Sequence, residues 1–175
     1  MRPVYRNAGS WYMITTVTLN ASIDKAYYME SSIENGTVMR VKAVHNSAGG
    51  KGLNVARAVR LCGEEVLATG LVGGYNGKYL EALLDKDGVS HDFVHIQGET
   101  RSCINILDEA YGSTEYLEPG CLVTGWEIQQ FLKQFPEIIK QNPNRSLAIM
   151  SSKKKPEEQS RSQRRKRRKN TNSRS

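Results

Sequence analysis

The sequence predicts an α/β fold built around a doubly wound parallel sheet. Three observations carry this. Short β-branched apolar runs alternate with segments of helical periodicity from Met13 to Ile96. The first junction between them is a glycine-rich turn, Gly49-Gly50-Lys51-Gly52, that opens directly into a helix. The next two helical patterns each stop at a glycine, Gly63 and Gly88, as C-capped helices do.

Met13-Ile14-Thr15-Thr16-Val17-Thr18-Leu19 reads as a buried strand. Asn20–Asp24 follows as a loop, which puts a carboxylate just past the strand's C-terminal end, where α/β sheets hold ligands. Taken alone, Asp24 also reads as a turn or cap residue. Gly36–Val44 alternates apolar and polar residues and is predicted as a half-exposed strand.

Three glycines in four residues cannot form a strand or helix interior, because Gly costs roughly 0.5–1 kcal/mol there. Leu53, Val55, Ala56, Val59 and Cys62 then recur at helical spacing. Free N–H groups and the positive dipole end of such a helix favour an anion. Lys51, in that first turn, is poorly placed unless an anion lies beside it. A tight turn carrying a solvated lysine is the plainer alternative. The residue after the lysine is glycine, so this is no Walker A loop, and no G-x-G-x-x-G follows a strand.

Val66–Val72 is a second buried strand, Leu80, Leu83 and Leu84 mark the next helix, and Phe93–Ile96 a third strand. Strand, helix, strand, helix, strand implies parallel pairing with right-handed crossovers. Thr100–Leu107 and Thr114–Leu117 form a hairpin around Gly112. Thr124-Gly125-Trp126-Glu127 fits a capping box, and Ile128, Phe131, Leu132 and Phe135 give the strongest helical stripe in the chain. Leu147–Met150 begins another strand, and the pattern stops at Ser151.

The 175 residues carry a net charge of +7. Residues 151–175 hold eleven Lys/Arg against two Glu, so the tail's +9 leaves −2 for residues 1–150. That tail lacks any apolar residue and is expected to be disordered. Cys62, Cys103 and Cys121 are odd in number and form no C-x-x-C, which suits a reducing cytoplasm better than a disulfide framework or zinc site. His45, His91 and His95 lack metal-ligand spacing and read as surface or turn residues; no metal site is expected. No apolar run approaches the ~20 residues of a membrane span, and the N-terminus lacks a signal-peptide core.

The stretches Thr18-Leu19-Asn20-Ala21-Ser22-Ile23-Asp24, Ala48–Arg57, Gly70–Gly74, Gly98-Glu99-Thr100-Arg101 and Glu118-Pro119-Gly120 resemble those of the PfkB, or ribokinase-like, carbohydrate kinases. The branch is that of 1-phosphofructokinase and tagatose-6-phosphate kinase, and the likeness runs from Met13 to Ser151. Ala21 departs from it, since this branch usually has proline there. The resemblance implies a ribokinase-like doubly wound sheet with a β-hairpin or lid extension. It also implies ATP-dependent phosphorylation of a phosphorylated ketohexose such as fructose 1-phosphate or tagatose 6-phosphate, with Mg2+. Asp24 and Asn54 would bind sugar hydroxyls, Gly49 and Gly50 would admit the sugar, and Lys51 and Arg101 would hold its phosphate. The lid often makes a homodimer.

In this family a G-A-G-D motif in the C-terminal half supplies the anion hole and catalytic aspartate, and the ATP site lies there too. No residue here matches that motif, so the chain is expected to be a truncated, sugar-binding half, inactive alone. Residues 1–12 are expected to be a non-family extension, 13–151 the kinase part, and 152–175 a basic tail of the kind a shifted reading frame yields. Two other readings stand beside this one. The tail, with Arg164-Arg165-Lys166-Arg167-Arg168-Lys169, could contact nucleic acid non-specifically, or the chain could be a non-catalytic sugar-phosphate binder.

Overall fold

In a computed structural model the described residues are 13–110, 112–140 and, for the backbone, 145–150. The extension 1–12 and the basic tail 152–175 lie outside them. The elements are β1 (Met13–Thr18), β2 (Ser22–Met29), β3 (Val41–Gly49), α1 (Lys51–Leu61), β4 (Val66–Gly73), α2 (Gly74–Lys86), β5 (Ser90–Ile96), β6 (Arg101–Asp108), β7 (Gly112–Leu117), α3 (Gly125–Lys140) and β8 (Arg145–Met150).

They form two four-stranded sheets. One has the order β5-β4-β1-β8 and all three of its pairings are parallel. Parallel strands need cover on both faces, and the core divides accordingly. Val66, Ala68, Val72 and Phe93 face α1 and α2, where Leu53, Ala56, Leu80 and Leu84 are fully buried. On the opposite face Val17, Leu71, Val94 and Ile96 meet Phe131 of α3.

The second sheet, β3-β2-β6-β7, is the lid extension. β2 and β6 run parallel at its centre and β3 and β7 pair antiparallel outside them. The capping box at α3 forms as expected. Thr124 Oγ accepts from the Glu127 N–H at 3.3 Å, while the Glu127 carboxylate accepts from the Thr124 N–H and hydroxyl at 2.7 and 2.8 Å. It also takes the Gln97 N–H at 2.7 Å, which ties α3 to the end of β5. These donors, the Thr124 N–H foremost, hold the Glu127 carboxyl below the usual carboxylate range, with burial a smaller opposing effect.

Three expectations change. Residues 22–24 were expected within a loop, but Ser22–Met29 is a strand, so Asp24 is neither turn nor cap. The strand expected over Gly36–Val44 starts at Val41 and runs on to Gly49. Of the α3 stripe, Phe131 and, in part, Phe135 enter the core, whereas Ile128 and Leu132 are 45% and 54% exposed. Helix rotation is set instead by Glu127, Phe131 and Ile138.

Candidate functional site

The register of the lid determines which side chains meet. Ser22 pairs with Gly49 on one side and Arg101 on the other. Two residues along, Asp24 lies between Ser47 and Cys103, and Cys103 pairs with Leu117. Because side chains alternate across a strand, Ser22, Asp24, Ser47, Arg101 and Cys103 share one face. That face looks onto the N-terminus of α1, and between them lies an open cleft of about 360 Å³.

Five of the six expected binding residues line this cleft: Asp24, Gly50, Lys51, Asn54 and Arg101. The sixth, Gly49, acts from behind. A Cβ built there would fall inside the Asp24 carboxylate, so glycine at 49 is what lets that carboxylate stand where it does. Asp24 is held from its own strand as well, its Oδ1 accepting from the Ser22 hydroxyl at 2.7 Å. Gly50 caps α1 at φ 118°, a conformation that side chains resist.

Lys51 begins α1 and is exposed, with no acidic residue in the first turn to neutralise it. Asn54 follows one turn later. Arg101 opens β6, and its Nη1 donates to the Glu118 carbonyl at 3.2 Å. Glu118 secures the same strand end, its carboxylate accepting from the Ser102 N–H at 2.7 Å. Glu99 accepts from the N–H groups of Tyr75 and Asn76 at the start of α2. Thr100 and Gly73 exchange two hydrogen bonds at 2.9 Å. The Gly98–Arg101 stretch is thus a splint that joins the main sheet to the lid and aims Arg101 at the cleft.

Several lining residues were not singled out from sequence: Ser22, His45, Ser47, Cys103, Asn105 and Glu115. The period-2 series 22, 24, 26 and 101, 103, 105 would have found Ser22, Cys103 and Asn105 once β2 was recognised. Burial pushes the Cys103 thiol above its ordinary value, the Ser22 hydroxyl and the Arg101 charge partly offsetting that. Among the described residues no group of three or more His, Cys, Asp or Glu is placed to hold a metal ion.

Chemically, the cleft offers a carboxylate acceptor, a carboxamide, and two cations beside free helix N–H groups. That combination fits a polyol bearing an anionic group. The profile of the pfkB family carbohydrate kinases matches residues 17–118, more than half of the chain. The chain belongs to this family.

Solved structures agree on the fold. A "possible 1-phosphofructokinase" from Thermotoga maritima is 32% identical with a TM-score of 0.72, over 80% of this chain and 45% of that one. Phosphofructokinase-2 from Escherichia coli, in complex with fructose-6-phosphate, is 30% identical with a TM-score of 0.70, over 79% and 45%. The tetrameric inhibited form of that enzyme matches at 30% and 0.68, over 79% and 44%. The chain therefore spans a little under half the length of these ribokinase-like phosphofructokinases. Among the described residues no helix is long and apolar enough to cross a membrane.

Proposed function

We propose that residues 13–151 form the sugar-phosphate-binding part of a kinase that transfers a phosphoryl group from ATP to a phosphorylated ketohexose. One observation carries this reading: Asp24, Lys51, Asn54 and Arg101, drawn from three separate elements, line a single cleft. Asp24 and Asn54 bind sugar hydroxyls. Lys51 and Arg101 hold the phosphate the substrate already bears, Arg101 through its fork and Lys51 as a point charge. In phosphoryl transfer most of the protein's work is positioning and charge stabilisation, and the described residues contribute the positioning of the acceptor.

ATP supplies the transferred phosphoryl group when bound. Among the described residues no group of carboxylates is placed to hold Mg2+, so they do not fit a site for that ion. A second copy of the chain, meeting the first through the lid, fits the exposed Val44 and Tyr116 on the lid's outer strands; the E. coli relative is tetrameric in its inhibited form.

Calorimetric titration with tagatose 6-phosphate, fructose 1-phosphate and fructose 6-phosphate tests the reading and ranks the substrates. Saturable binding of at least one, reduced by Asp24→Ala, is expected. Heat with none of the three, or equal heat in Asp24→Ala, contradicts it.

A further inference from the structure

Asn54 is the wall between two depressions. On one side is the cleft described above; on the other is a shallow groove lined by Arg57, Ala58, Leu61 and Asp87. Arg57 lines the groove and not the cleft. One turn apart on α1, the two side chains share a helix face, and Arg57 Nη2 donates to Asn54 Oδ1 at 2.7 Å.

Guanidinium has donors and no acceptor. Whatever faces Arg57 must therefore be the carbonyl edge of the carboxamide, which turns the NH2 edge away from it. We propose that Arg57 is a positioning residue that fixes the polarity of Asn54, so that the carboxamide presents donors to the cleft. A charge-assisted bond is stronger than a neutral one, and this one competes well with water at the exposed Asn54.

The consequence concerns the ligand, and it rests on the reading of the cleft as a sugar-phosphate site. Asp24 only accepts hydrogen bonds. With Asn54 set as a donor, the site matches two sugar hydroxyls with opposite roles, one donating to Asp24 and one accepting from Asn54. An unfixed carboxamide would offer a second acceptor half of the time and would lose that discrimination.

The test is a double-mutant cycle on the 175-residue chain, with fructose 6-phosphate as the calorimetric probe. Asn54→Ala and Arg57→Ala should each weaken binding about tenfold. Arg57→Ala in the Asn54→Ala background should add nothing, whereas a merely structural Arg57 would weaken binding equally in both. Arg57→Lys, which also only donates, should stay within about threefold of the parent. Asn54→Asp keeps the Arg57 partner yet offers only acceptors; it should lose about tenfold, and parent-like binding by Asn54→Asp overturns the proposal.

Side-chain 15N relaxation of Asn54 separates this proposal from the reading it rests on. The amide should be ordered in the parent and in Arg57→Lys and mobile in Arg57→Ala, with or without sugar. An equally ordered amide in Arg57→Ala overturns the role of Arg57. Ordered amide behaviour with no sugar binding at all would overturn the sugar reading and leave the positioning intact.

Discussion

The Asp24 carboxylate occupies the space that a side chain on Gly49 would fill. The two residues lie on neighbouring strands, β2 and β3, two residues apart in register. A short side chain can swing aside, so Gly49→Ala should leave the fold nearly as stable as before. What it displaces is the carboxylate. We expect sugar-phosphate affinity to fall tenfold or more, about 1.4 kcal/mol, with a shift in Tm of only a few degrees. Calorimetry beside a thermal melt checks both; unchanged affinity would break the link between Gly49 and Asp24.

Gly52 meets a different obstacle. A Cβ there would press on the Thr18 hydroxyl and lie 2.9 Å from the Val17 carbonyl oxygen. Backbone cannot swing aside, so Gly52→Ala must push α1 off β1. About 1–3 kcal/mol of stability should be lost, the range for overpacked cores. Gly125 is the control, since nothing lies within 4 Å of its notional Cβ; Gly125→Ala at the start of α3 should be neutral or stabilising by about 0.4–1 kcal/mol. Chemical denaturation of both variants decides, and equal effects would contradict the packing argument.

Cys103 and Cys62 should differ in reactivity. Cys62 is exposed, while Cys103 is half-buried in the cleft with its thiol held protonated by burial. Because the thiolate is the nucleophile, a maleimide should label Cys62 well before Cys103 at neutral pH. Sugar phosphate should slow Cys103 further and leave Cys62 unaffected. Mass-spectrometric mapping reads this directly, and protection of Cys62 by the ligand would place the sugar elsewhere.

Glu127 makes the fold sensitive to acid. Its folded pKa is depressed, so its contribution is complete above the ordinary glutamate value near 4.3 and is lost as pH falls through the lower folded value. Glu127→Gln should therefore narrow the stability difference between pH 6 and pH 3 measured in urea. Thr124→Ala removes the reciprocal half of the box and should cost about 1 kcal/mol at neutral pH. An unaltered acid limb in Glu127→Gln would mean that other carboxylates control it.

The main sheet was legible because its strands are buried on both faces and its helices end at glycines. Leu53, Ala56, Leu80 and Leu84 are core residues as their spacing implied. The lid was harder to read. Ser22–Met29 carries Asp24, Lys25 and two tyrosines, and with both faces partly open it shows no clean alternation. Missing that strand hid Ser22 and, across its register, Ser47 and Cys103. In α3 the apolar stripe was correct in period but shifted in direction, because Glu127 must reach Gln97 and thereby rotates Ile128 and Leu132 outward.

The central claim is that Lys51 and Arg101 read a phosphate while Asp24 reads hydroxyls. Titrating fructose 6-phosphate against plain fructose, in the parent chain and in the Lys51→Met/Arg101→Gln pair, tests it most directly. The account expects the phosphate to improve affinity at least tenfold in the parent, about 1.4 kcal/mol, and hardly at all in the double variant. Equal affinity for the two sugars in the parent, or a phosphate preference that survives loss of both cations, would contradict it.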